Sequence, residues 1–328
     1  MDRLRLGIIG TGRIVRRVMA DMGNCRHVSV TAIASREKER AEAAAREYGI
    51  PYAYAGYEAL ALSDRVDAVY IATPNPFHEE QALLMMNHKK HVICEKPMAL
   101  NTASHARMAD AARKNGVFLM EAMWTRFMPA VRSALALVKS GGIGEVRHVF
   151  CSFCFSAVND GKDRLFTREL GGGSLPDVGI YCLNMARQLL GESVEMKVTG
   201  QLLPTGVDSR ACAVMKYPGG ATAGILCATD TAGSDELIIY GSSGVLRVPE
   251  FWRATRYTVE IPGHAPVTHR FRAEHEGHHY EFDHAAECIS GGLTESPVMP
   301  LSDSAGLCRD VQTLRRALGV RYPDALEG

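Results

Sequence analysis

The chain has 328 residues, 46% hydrophobic and 23% charged, with 37 Lys+Arg against 37 Asp+Glu. That length suits one large domain or two of ordinary size, and the apolar share excludes a mainly disordered chain. A formal net charge of zero argues against a polyanion binder, and no run of 18 apolar residues is present to span a bilayer. Nine cysteines without a framework, and no N-x-Ser/Thr sequon, predict free thiols in a reducing cytoplasm. The chain is strand-like by Leu4, so no secretory signal is expected.

The first predicted strand is Leu4–Ile9, followed by Gly10–Thr11–Gly12–Arg13–Ile14–Val15 and a helix over Ile14–Met22. Gly10 permits a tight turn, and Gly12 lets backbone approach a pyrophosphate seated on the helix N-terminus. Val15 stands where a third glycine is usual, so the motif draws its weight from lying between the first strand and the first helix. The next strand, Val28–Ala34, leads into Ser35–Arg36, with no Asp or Glu at its end to bond a ribose hydroxyl. Ser35, Arg36 and Lys38, helped by Arg13, fit the 2′-phosphate of NADP, because guanidinium forks onto phosphate oxygens. The competing reading starts a solvated face of the Glu37–Tyr48 helix at Arg36 and leaves NAD open.

Strand Val66–Ala72 exits into Thr73–Pro74–Asn75, helix Phe77–Asn87 carries His78 near its start, and strand His91–Cys94 exits into Glu95–Lys96–Pro97. Ligands collect at the carboxyl ends of such strands, and the prolines stop each exit from running straight on as helix. Asn75 and His78 are placed on the nicotinamide side, although His78 also reads as a helix-start residue. Lys96 can bond a substrate oxygen and stabilise alkoxide charge as hydride moves; the bland reading is a surface lysine paired with Glu95. Helix Thr102–Lys114 and strand Val117–Met120 complete an alternation that predicts a doubly wound parallel Rossmann sheet over residues 1–122.

Residues 123–328 read as an α+β domain with a mainly antiparallel sheet. After helix Phe127–Lys139, strands are predicted over Glu145–Ser156, Val194–Leu203, Ala211–Tyr217, Ala221–Ala228, Glu236–Tyr240, Val245–Val248, Tyr257–Ile261 and Val267–Phe271. Helices are predicted over Ser174–Leu190, Tyr280–Ser290 and Ser302–Ala317. Trp124 and Phe127, just past the last Rossmann strand, are candidates for an apolar wall against a ring-shaped substrate, and Phe153 with Phe155 shares a strand face. Cys151 and Cys154 form a C-x-x-C on a strand, which reads as structural. Pro176 suits a first helical turn and puts Asp177 and Tyr181 on one face, i and i+4. A carboxylate and a phenol so placed can orient a hydroxyl and move a proton, and a cation such as Lys96 would favour the phenolate.

His275–Glu276–Gly277–His278–His279 matches the H-E-x-x-H zinc pattern and marks a zinc hydrolase as an alternative. Gly277 weakens the helix that pattern needs, and no third ligand is marked, so no metal is expected. His279 and Phe282 instead share an inward stripe, with His279 a candidate substrate contact.

Together Gly10-x-Gly12, Thr73–Pro74–Asn75, His78 and Glu95–Lys96–Pro97 resemble the glucose–fructose oxidoreductase / inositol dehydrogenase / rhizopine catabolism (Gfo/Idh/MocA) family. The segments Glu121–Phe127 and Gly171–Tyr181 resemble its branch of dimeric dihydrodiol dehydrogenase, NADP-dependent xylose dehydrogenase and glucose–fructose oxidoreductase. The resemblance implies a catalytic role for Lys96, a general acid/base at Tyr181 where many members have His, and Asp177 beside it. It implies homo-oligomers formed through the C-terminal sheet. The substrate-binding set is Trp124, Arg126, Phe127, Phe153 and His279. The expected protein is an NADP(H)-dependent oxidoreductase acting on a sugar, dicarbonyl or trans-dihydrodiol; a cofactor sensor without turnover is the alternative.

Overall fold

The structure, a computed structural model, describes residues 3–157, 163–272 and 276–327. In chain order the first elements are β1 (Leu4–Ile9), α1 (Arg13–Met22), β2 (Val28–Ser35), α2 (Lys38–Tyr48), β3 (Tyr52–Ala55), α3 (Tyr57–Ala61), β4 (Ala68–Ile71), α4 (His78–Asn87), β5 (His91–Glu95), α5 (Thr102–Asn115) and β6 (Leu119–Ala122). The six strands form one parallel sheet in the order β3-β2-β1-β4-β5-β6, the doubly wound arrangement. Ile8, Ile9, Ile33, Val69, Ile71, Val92 and Ile93 are fully buried along its inner strands, which accounts for their near-continuous apolar runs. β3 escapes the sequence reading because its Tyr-Ala-Tyr-Ala run lies largely exposed at the sheet edge.

The chain continues through α6 (Pro129–Lys139), β7 (Val146–Cys154), α7 (Ile180–Leu190), β8 (Glu195–Leu202), β9 (Asp208–Lys216), β10 (Thr222–Ala228), β11 (Glu236–Gly241), β12 (Val245–Pro249), β13 (Arg256–Glu260) and β14 (Val267–Arg270), and then α8 (His279–Ser290), α9 (Leu301–Ala317) and α10 (Asp324–Glu327). The eight strands order as β14-β13-β12-β11-β7-β10-β9-β8, antiparallel except for the β7–β10 pair. From Ser209 onward β9 alternates: Ser209, Ala211, Ala213 and Met215 are buried, while Arg210, Cys212, Val214 and Lys216 are exposed.

The chain separates into two compact units, Met1–Trp124 with Glu274–Ala305 and Thr125–Ala273 with Gly306–Gly328. α8, expected in the second domain, therefore packs within the first unit. The cause is a long-range cap. Asp21 on α1 is buried and accepts the backbone N–H groups of Glu276, Gly277 and His278 at 3.2, 2.6 and 2.6 Å. These donors precede the first turn of α8, where helix amides lack intrahelical partners and favour an anion. Asp283 adds a second tie by accepting the N–H groups of Arg26 and His27. Farther on, Ser304 Oγ donates to Glu121 Oε2 at 2.6 Å.

Candidate active site

In the first unit the expected cofactor residues gather at the carboxyl edge of the parallel sheet. Gly10 has φ +108°, and a Cβ there would lie 2.8 Å from the Ala72 carbonyl oxygen, so only glycine fits at the end of β1. Gly12 starts α1 with no side-chain cap, no acid follows in the first turn, and a Cβ at Gly12 would meet nothing within 4 Å. An uncapped helix start beside open space suits a pyrophosphate. Thr11, Arg13 and Ile14 lie on the same accessible turn, while Val15 is buried beneath it as core.

Ser35 is buried at the end of β2, and Arg36 beyond it is exposed, its guanidinium 5.9 Å from the centre of the Phe77 ring. The aromatic face limits where that cation sits. Lys38 is exposed and lies 3.6 Å from Glu42, so its charge is partly engaged along α2.

His78 is fully buried, with Nδ1 3.0 Å from the Pro97 carbonyl oxygen and Nε2 2.9 Å from that of Thr73. Its ring thus braces the two strand exits against each other. This is a more internal position than the nicotinamide contact expected of it. Thr73 Oγ1 donates to Gln81 at 2.7 Å, and Pro74 and the buried Asn75 lead into α4. Glu95 turns inward: Oε1 accepts from the Tyr70 hydroxyl and Oε2 from the Lys96 backbone N–H at 3.2 Å. Lys96 is half-buried at the tip of this exit, joined to Pro97 by a cis peptide bond.

Behind that exit lies a buried charged group that local spacing did not reveal. The His278 ring stacks on Trp124 at 4.2 Å between centroids, with Nδ1 3.8 Å from Glu281 and Nε2 3.7 Å from Glu276. Burial alone would lower the His278 pKa, but Glu276 and Glu281 overcome it and hold it up at about 9. Burial raises Glu281 to about 7 against the opposing pull of His278, with Glu95 adding to the rise. Trp124 and His279 are both buried; His279 Nδ1 lies 3.8 Å from Asp21.

The second unit holds the other candidates. Asp177 lies inside a single π-helical turn, Leu175–Gly179, that runs directly into α7, where Tyr181 sits. Such turns are rare and concentrate at functional sites. Arg164 Nη2 donates to Asp177 Oδ1 at 2.7 Å. The Tyr181 ring packs against Phe153 at 5.5 Å, and Phe153 stacks on Trp252 at 5.3 Å and 12°. Arg253 lies 4.7 Å over the Trp252 ring, and the indole N–H donates to Asp235 at 3.3 Å. The structure brings Phe153 against Tyr181 and Trp252 rather than against Trp124 or Phe127, and it adds Trp252 and Arg164, which no local motif marks. Arg126 and Phe127 are buried instead, and Arg126 Nε donates to Asn184 Oδ1 at 2.6 Å inside the same unit.

Residues 4–123 match the family model described as oxidoreductase family, NAD-binding Rossmann fold, and residues 131–247 match the GFO/IDH/MocA C-terminal domain. The chain belongs to the GFO/IDH/MocA oxidoreductase family. A trans-1,2-dihydrobenzene-1,2-diol dehydrogenase of Mus musculus is 34% identical over 332 residues, covering 98% of both chains. Among solved structures, an aldose-aldose oxidoreductase from Caulobacter crescentus complexed with glycerol is 29% identical, with a TM-score of 0.88 over 96% of this chain and 97% of its own. A 3-ketoreductase from Actinomadura kijaniata, in complex with NADP and TDP-benzene, is 27% identical with a TM-score of 0.87, covering 96% and 98%.

In this GFO/IDH/MocA chain the zinc pattern does not find the helix it needs: Gly277 has φ +102° and α8 begins only at His279, so Glu276, Gly277 and His278 precede the helix. Glu276 pairs with Arg17 at 2.8 Å, and His275 lies outside the described residues. Among the described residues no group of three His, Cys, Asp or Glu side chains is placed to hold a metal ion. No helix among them is long and apolar enough to cross a membrane.

Proposed function

We propose that this oxidoreductase is NADP(H)-dependent and exchanges a hydroxyl for a carbonyl on a sugar, dicarbonyl or trans-dihydrodiol. The observation that carries the cofactor choice is Arg36 at the end of β2, with Ser35 before it and no acid there to meet a ribose hydroxyl. Gly10, Gly12 and the start of α1 hold the pyrophosphate, and Ser35 and Arg36 hold the 2′-phosphate. When bound, NADP supplies or accepts the hydride. Lys96 stabilises negative charge on the substrate oxygen, and the phenol oxygen of Tyr181 holds and moves the proton. Asp177, tied to Arg164, orients the substrate hydroxyl, and Phe153 with Trp252 forms an apolar wall for a ring. The relatives named for a dihydrodiol dehydrogenase, an aldose-aldose oxidoreductase and a 3-ketoreductase support the substrate class.

A spectrophotometric screen of aldoses, dicarbonyl sugars and trans-dihydrodiols, following nicotinamide absorbance, tests this reading. Turnover with NADP is expected, together with its loss in Lys96→Met and Tyr181→Phe while NADPH still binds. Near-normal turnover in both variants would refute the role assignment.

The open face of the eight-stranded sheet, where Val214 and Tyr240 are exposed, is the proposed contact between copies of the chain. Sedimentation showing only monomer would remove that part. The nine cysteines are all free thiols, which supports a reducing, cytoplasmic location.

A further inference from the structure

Asp208, at the start of β9, is fully buried. Its Oδ2 accepts the Ser174 hydroxyl at 2.6 Å and the Leu175 backbone N–H at 2.8 Å. Ser174 and Leu175 open the helix that first makes the π-helical turn with Asp177 and then continues as α7 with Tyr181. A carboxylate from a distant strand therefore caps the amide end of this helix, where donors lack partners.

The adjoining glycines are shaped to this cap. Gly173 has φ +123°, and a Cβ there would fall 2.3 Å from Asp208 Oδ1. A Cβ on Gly172 would lie 2.5 and 2.6 Å from the carbonyl oxygens of Arg164 and Leu165. From the other side the buried Tyr322 hydroxyl donates to the Gly172 carbonyl at 2.7 Å. The Gly172–Gly173 backbone thus passes through a slot that no side chain could share, and Asp208 sets where the helix begins. Burial pushes the Asp208 carboxyl upward while Ser174 and Leu175 oppose that rise, as expected of a carboxylate kept for its bonds rather than its solvation.

We propose that Asp208 is a positioning residue for the reaction, holding the start of the helix whose first turns carry Asp177 and Tyr181. The proposal rests on the reading of Tyr181 as acid/base. It specifies how a group remote from the reacting atoms controls the register of that phenol, and why the segment needs consecutive glycines.

Asp208→Ala removes both accepted bonds, whereas Asp208→Asn keeps an acceptor oxygen for Ser174 and Leu175. Asp208→Ala should lower kcat about 100-fold, the cost of a misplacement near an ångström. NADPH binding should stay at the parental level, and the limb of the kcat–pH profile owed to the phenol should move. Asp208→Asn should recover most of the rate and the parental profile. Parental kcat and pH profile in folded Asp208→Ala would overturn the proposal, as would Asp208→Asn falling as far as Asp208→Ala. Should Asp208→Ala fail to fold, Ser174→Ala removes one of the two bonds; a smaller fall in kcat with the same movement of the limb supports positioning, and an unchanged limb overturns it. Tyr181→Phe keeps the two readings apart. Turnover in that variant defeats the acid/base assignment, whereas an inactive Tyr181→Phe beside a fully active Asp208→Ala defeats the positioning role alone.

Discussion

Arg164 Nη2 lies 2.7 Å from Asp177 Oδ1, so the carboxylate expected to orient a substrate hydroxyl is already held by a guanidinium on the segment before the glycine turn. A charge-assisted bond of this kind is directional and fixes the carboxylate's rotamer. Arg164→Met should therefore lower kcat/KM by about 10-fold, the worth of one lost bond to a charged group, with NADPH affinity unchanged. Steady-state kinetics beside a cofactor titration checks this. Parental kcat/KM would detach Arg164 from the site.

Arg36 over Phe77 gives the cofactor prediction. Arg36→Ala should weaken NADPH binding about 10- to 100-fold, the loss of a bond to a charged phosphate, and leave NADH binding nearly unchanged. Phe77→Ala, which removes only the ring beneath the cation, should cost less than Arg36→Ala. Fluorescence titration with both nucleotides measures it. Equal losses for the two nucleotides would show that Arg36 does not read the 2′-phosphate.

Much of the cofactor half is legible in the sequence because its signals are local. Gly10 and Gly12 follow the first strand directly, and Lys96 sits beside a proline at a strand end, so short spacing carries the inference. What escapes reading is held by contacts between distant residues. α8 belongs to the first unit because Asp21 caps it across more than 250 positions, and nothing near Asp21 announces that. Arg164, Asp208 and Trp252 reach Asp177, Ser174 and Phe153 only once the chain has folded. The H-E-x-x-H run matches the zinc pattern in residue types alone, and Gly277, which weakens the required helix on sequence grounds, has φ +102° in the structure.

Asp21 should be among the most sensitive stability positions. It is buried and accepts three backbone N–H groups before α8. Asp21→Ala would leave these donors without their acceptor, at a cost of about 2–4 kcal/mol. Urea unfolding checks the figure; a change within about 0.5 kcal/mol, the range of an ordinary surface substitution, would contradict the cap.

The pair His278–Glu281 sets a pH dependence whose sign follows from linkage. The His278 pKa is held up at about 9 from 6.5, so its contribution is complete below 6.5 and is lost as pH rises through about 9. The Glu281 pKa is raised to about 7 from 4.5, so folding favours its protonated form and stability also falls as pH rises from 4.5 through about 7. Both groups therefore make the protein less stable toward alkaline pH. Glu281→Gln should flatten the first part of that fall, and melting temperatures across the range would show it. A parental slope in Glu281→Gln would mean that this carboxyl does not titrate as its surroundings require.

The most direct test of hydride transfer uses a substrate that turns over in the screen, deuterated at the carbinol carbon, with oxidised NADP. The expected result is deuterium at C4 of the nicotinamide and a carbonyl product, with neither formed by Lys96→Met or Tyr181→Phe. Turnover that leaves the label in solvent, or equal transfer by both variants, would contradict the account.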